Sequence, residues 1–108
     1  MLDTKKVTLF YNLQIRDTIS HYPGYMLELR KAKAWSFEIQ NKLNQSVQCF
    51  LIGGDAQGDI GSNVTISAGS TQPIVTNIWS NKLGIRLICS TAPTSGFVTL
   101  TGEYQEES

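Results

Sequence analysis

Neither sign of charge dominates this chain: nine Lys and Arg residues are balanced by nine Asp and Glu. A protein that grips nucleic acid by neutralising phosphates needs a basic excess, so no nucleic-acid partner is expected. Cysteine is scarce too. Cys49 and Cys89 are too few for a disulfide scaffold and too far apart for a CxxC redox or zinc pattern. Both are expected reduced and packed as small hydrophobes. No apolar run approaches the ~18 residues that carry a helix across a bilayer, so no membrane span is expected. The first residues, Met1-Leu2-Asp3-Thr4-Lys5-Lys6, lead into alternation rather than an apolar stretch, which argues against a secretory signal and for cytoplasmic synthesis.

Groups that could do chemistry are equally sparse. His21 is the single histidine, in the turn-like run Ser20-His21-Tyr22-Pro23-Gly24, and no G-x-S-x-G elbow accompanies it. Neither cysteine has a histidine beside it in sequence, so nucleophilic catalysis is not expected. Glu28, Glu38, Asp55 and Asp59 are spread over separate segments, a poor basis for a glycosidase pair. The run Gly53-Gly54-Asp55-Ala56-Gln57-Gly58-Asp59-Ile60-Gly61 lacks the lysine and following helix of a phosphate cradle. It also holds only two carboxylates, too few for a calcium loop. No enzyme, cofactor or metal is expected. Asn44-Gln45-Ser46 and Asn63-Val64-Thr65 match the N-glycosylation pattern, which without an export signal is read as chance and agrees with both asparagines lying in loops.

What the chain has is alternation. In Val7 to Ile15 the residues Val7, Leu9, Tyr11, Leu13 and Ile15 share one face, with Phe10 the exception. Trp35, Phe37 and Ile39 point inward and Ser36, Glu38 and Gln40 outward, a register that a one-residue slip would ruin. Val47 to Ile52 and Leu83 to Ser90 alternate likewise. Gly53 to Asn63 reads as a glycine-rich loop, Val64 to Ser67 as a short strand, Ala68-Gly69-Ser70 as a turn, and Pro73 marks a sheet edge or a bulge. Tyr25 to Lys33 fits either a strand with a basic turn or a helix. About seven or eight short strands with Gly, Pro and Asn turns predict an all-β, antiparallel two-sheet sandwich, jelly-roll or Ig-like. The antibody-type Ig pattern fits poorly, because no tryptophan follows shortly after the first cysteine. Residues 1–108 form one domain in this reading, with residues 1–6 an N-terminal arm and 105–108 a flexible acidic tail.

Two sets of residues are candidate contacts. Phe10, Phe50, Ile52 and Ile88 are apolar but out of phase with the core set, so either a loop or arm covers them or they meet another chain. Trp79, in the polar run Asn77-Ile78-Trp79-Ser80-Asn81, is the candidate exposed aromatic, whereas Trp35 belongs to a core face.

The runs Phe37-Glu38-Ile39-Gln40-Asn41, Ile52-Gly53-Gly54, Ile66-Ser67-Ala68-Gly69-Ser70-Thr71 and Ser90-Thr91-Ala92-Pro93-Thr94-Ser95-Gly96 resemble small β-sandwich structural proteins of tailed bacteriophages and prophages. The likeness spans about residues 35 to 100 and is one of turns and strands, not of an active site. It implies a non-enzymatic virion component, such as a capsid decoration protein or a head- or tail-attached accessory subunit. Its partners would be itself, as a homo-oligomer, and larger capsid or tail proteins. The alternative is a carbohydrate-binding sandwich module using Trp79 and tyrosines near the loops.

Overall fold

The structure, a computed structural model, describes residues 2–28, 32–74 and 80–107. It is all-β, with eight strands among the described residues: β1 Leu2–Leu13, β2 Leu27–Glu28, β3 Ala32–Asn41, β4 Val47–Gly53, β5 Gly58–Ile66, β6 Thr71–Ile74, β7 Lys82–Ile88 and β8 Val98–Glu107. Folding the chain in half at the β4–β5 turn explains the pairing. β4 then lies on β5, β3 on β6, β2 on β7 and β1 on β8, all antiparallel. Rolling up this long hairpin adds β3·β8 and β4·β7 contacts and divides the strands between two sheets. The first sheet has the order β1-β8-β3-β6 and the second β2-β7-β4-β5. That order is a jelly roll, which decides between the two sandwich types anticipated from sequence.

The core lies between the sheets. Leu9, Phe10, Phe37, Ile39, Val98 and Leu100 from the first sheet meet Leu27, Val47, Cys49, Leu51, Ile66, Leu83, Ile85 and Leu87 from the second. Each such side chain contributes about 1.5–3 kcal/mol of burial. Cys49 and Cys89 are free thiols in this core. Trp35 packs on it half-buried, edge-on to Phe37 at 5.8 Å between ring centroids.

Several expectations need correction. The N-terminal arm and the acidic tail are strands paired with each other, Leu2 opposite Glu107 and Lys6 opposite Glu103. They are the two ends of the rolled hairpin, where Lys6 meets an opposite charge in Glu103 and Asp3 a like charge in Glu106. The expected loop from Gly53 to Asn63 is a tight turn at Gly54–Gln57 followed directly by β5, so Asn63 stands on a strand. Gly54 at φ 75° and Gln57 at φ 54° let the chain reverse within that turn. Pro73 does lie in an edge strand, β6. For Tyr25 to Lys33, β2 covers Leu27–Glu28, residues 29–31 lie outside the described residues, and no helix occurs among the described residues.

Phe10 is a core residue, not an interface residue. The β1–β8 register shifts between Thr8 and Phe10, so Leu9 and Phe10 both turn inward. A bulge of this kind inserts one residue and reverses the faces beyond it. Tyr11, assigned inward from sequence, is therefore thrown out into solvent.

Candidate functional site

One end of the sandwich gathers the turns at residues 41–46, 67–70 and 90–97, and there they form a clasp. Asn41, fully buried, donates its amide to the carbonyls of Gln45, Ile66 and Ser67 at 3.0–3.2 Å and accepts from the Leu43 N–H at 3.1 Å. The Gly69 N–H donates to the Asn41 carbonyl, and the Asn41 N–H to that of Ser70. Asn44 exchanges two hydrogen bonds with Thr94. Gly96, at φ 87°, lies so close to Lys42 that a Cβ would strike its carbonyl. These residues use their polar groups on one another. They hold the fold together.

The outer face of the second sheet differs. Three cross-strand rows run over it: Gln48 with Ile88, Phe50 with Arg86, and Ile52 with Gly84. Of the out-of-phase set, Ile52 is fully buried, although it stands outside the main core cluster. The connection between β1 and β2 is the cause. A Cβ on Gly84 would meet Met26 at 3.0 Å and Pro23 at 3.4 Å, so this connection packs on the sheet beside Ile52. Ile52 is thus covered from within the chain and is not an interface residue. Phe50 and Ile88 remain half-buried.

That connection, residues 14–26, spans thirteen positions between Leu13 and Leu27. Connections beyond about 12–15 residues without secondary structure are uncommon and tend to be functional. Here the chain is a strap tied down along its length. Arg16 donates to the Gly96 carbonyl at 3.0 Å. The His21 backbone exchanges two bonds with Leu87, at 2.8 and 3.0 Å. Arg86 donates Nη1 to the Ser20 hydroxyl at 2.9 Å and grips both Asp59 carboxylate oxygens at 3.2 and 2.9 Å. Its guanidinium sits 4.0 Å from the Phe50 ring centroid. One arginine therefore joins the strap to β4, β5 and β7, by a cation–π contact and charge-assisted bonds. Gln57 donates to the Pro23 carbonyl at 3.2 Å and fastens the far end.

The tied strap still leaves three large side chains in water: Ile19 is 63% exposed, Tyr22 49% and Tyr25 73%. Their backbone is held while their apolar surface is presented, so ordering costs little on contact. Sequence patterning did not single out Ile19 and Tyr22, which follow no period. The available signal was the length of a connection rich in large side chains. Trp79 lies outside the described residues.

Potential chemistry around the strap is already committed. His21 Nε2 and Asp17 Oδ1 are 2.8 Å apart, and this hydrogen bond holds the Asp17 carboxyl below its ordinary value. Among the described residues no Ser, Thr or Cys side chain is hydrogen-bonded to His21. Burial pushes the Cys49 thiol up to about 12, with the nearby Cys89 adding to the shift. Burial also raises Cys89, with Asp17 adding to it. Both shifts oppose thiolate formation. The two carboxylates of the glycine-rich turn are taken by cations, Asp55 by Lys82 at 2.7 Å and Asp59 by Arg86. Among the described residues no cluster of three or more His, Cys, Asp or Glu could hold a metal.

Fold and site together define a jelly-roll domain bearing a pinned strap with an apolar, tyrosine-rich surface. Comparison with protein-family models, with curated proteins and with solved structures finds no match to this chain.

Proposed function

We propose that this chain is a non-enzymatic structural subunit of a tailed-phage particle, a capsid decoration or head- or tail-attached accessory protein. It docks on larger capsid or tail proteins, and on copies of itself, through the strap and the outer face of the second sheet. The observation that carries this reading is the exposure of Ile19 and Tyr22 on a backbone fastened at Arg16, Ser20, His21 and Pro23. Rigid aromatic and aliphatic anchors of this type dominate protein interfaces. Phe50 and Ile88, half-buried on the same sheet face, extend the apolar surface. The turn pattern of residues 35 to 100 supplies the virion context, since it resembles the small sandwich proteins of such particles.

Sedimentation velocity of the wild-type protein and of the double variant Ile19→Ser, Tyr22→Ser tests the association. An oligomer in the wild type that becomes monomeric in the variant supports it, as does high copy number of the chain in purified particles. A strictly monomeric wild type that is absent from particles overturns it.

A carbohydrate-binding module is the second reading. One observation favours it, an open cleft beside Tyr25 lined with hydrogen-bonding groups.

A further inference from the structure

We infer that the free edge of β1 pairs with the β1 of a second copy, antiparallel and in one register, so that the first sheets of two copies run on into each other. β1 stands at the end of the order β1-β8-β3-β6 and, among the described residues, pairs only with β8. The N–H and C=O groups on its far side are left to water or to another strand. The other edges are poorer templates. β2 has two residues, and β6 has four, one of them Pro73, which has no N–H to offer. The β5 edge is broken by a register shift between Asp59 and Asn63. The β1–β8 register runs unshifted from Leu2 to Thr8, the longest such run on any edge among the described residues.

Charge selects the occupant. Lysine on an edge strand ordinarily discourages pairing, and this edge carries Lys5 and Lys6. It also carries Asp3, and Asp3 and Lys5 stand at equal distances either side of Thr4. Two copies of one edge strand are related by a two-fold axis perpendicular to the sheet, which keeps each face on its own side. Only residues of the same face then oppose each other, so the axis falls at a residue. At Thr4 it sets each Asp3 against the second copy's Lys5, twice over, and Leu2 opposite Lys6. At Asp3, Lys5 or Lys6 it sets like charges against each other. Thr4 is the one centre on β1 that joins opposite charges, so the lysines select the register.

Asp3 has use for such a neighbour. Across its own sheet it stands opposite Glu106, a like charge, and Lys5 stands opposite Tyr104. Among the described residues neither Asp3 nor Lys5 has an ion pair. The second copy's Lys5 brings to Asp3 the counter-charge missing in the monomer. Any extended strand satisfies the backbone, but the symmetry about Thr4 is matched by another β1. A contact from Leu2 to Lys6 alone falls short of the ~1,000 Å² of a stable interface, so it forms where copies are already crowded.

No residue of the strap takes part, so this contact stands or falls apart from the docking reading. Oxidative cross-linking of Thr4→Cys in the full chain at high protein concentration tests it, with Thr8→Cys as control and thermal melts to show that each variant is folded. Both positions are exposed, but only position 4 lies on the axis, with its counterpart roughly 5 Å away between Cα atoms and within disulfide reach. The expected result is a disulfide-linked dimer from Thr4→Cys and little from Thr8→Cys. Adding Asp3→Lys or Lys5→Asp to Thr4→Cys should cut the yield about tenfold. Mixing those two variants should restore it, because every contact between positions 3 and 5 is again one of opposite charges. No dimer from Thr4→Cys, equal yields at both positions, or no rescue on mixing overturns the inference. Adding Ile19→Ser and Tyr22→Ser should leave the cross-link intact, which separates failure here from failure of strap docking.

Discussion

The two sheets are built on one alternating pattern but end with opposite outer faces. On the first sheet Thr8, Thr101 and Glu38 form one outward row and Lys6, Glu103 and Ser36 the next, all polar, with Thr101 and Ser36 half-buried and the rest exposed. On the second sheet the corresponding rows hold Ile52, Phe50 and Ile88, partly roofed by the β1–β2 strap. Apolar residues on the second face of a strand thus mark where the chain crosses its own sheet. They signal a partner only where that roof ends.

The strongest way to break the pairing of these sheets is at their shared clasp. Asn41 stands on β3 of the first sheet and bonds the Ile66 carbonyl of β5 in the second. Asn41→Ala orphans several buried groups at once and is expected to cost about 3–5 kcal/mol in urea unfolding. The contrast between the faces is sharpened by three truncations. Ile52→Ala, under the strap, should cost about 2–4 kcal/mol, and half-buried Phe50→Ala roughly half as much. Thr101→Ala, on the solvated face, should stay within about 0.5 kcal/mol. Equal losses at Ile52 and Thr101 would break the comparison.

The thiols report on the inner side of the second sheet. A pKa raised by folding means that the stabilising contribution of neutral Cys49 holds below the ordinary thiol value and is lost as pH rises toward about 12. Ellman's reagent at about pH 8 should leave Cys49 and Cys89 unlabelled in the native protein and label both after unfolding. The smallest effect is expected at Asp17, on the strap. Its lowered pKa contributes stability above the ordinary carboxylate value, lost as pH falls through the lower folded value. The stability gap between wild type and Asp17→Asn should therefore narrow in acid, as read from urea midpoints between about pH 6 and pH 3.

On strands of both sheets, alternation named the inward face. Phe37, Ile39, Val47, Cys49, Leu83, Ile85 and Leu87 are buried as the pattern requires. Phe10 and Tyr11 were misread because a bulge shifts the register, and nothing in the local sequence announces it. Residues 58–63 of β5 were hidden because their glycines also suit a loop, and only the pairing with β4 selects the strand. The candidate site was the least legible part. Tyr22 and Pro23 read as part of a turn-like run and Tyr25 as the start of a strand or helix, until the structure laid Pro23 against Gly84 and beside Gln57.

Period-two patterning and turn residues determined by themselves that this chain makes an antiparallel sandwich, because burying one face of each strand leaves no other economical arrangement. Strand order, the Asn41 clasp, the strap and the cleft beside Tyr25 were decided by tertiary structure. Each depends on groups far apart along the chain meeting across the rolled hairpin, and such meetings leave no local period to read.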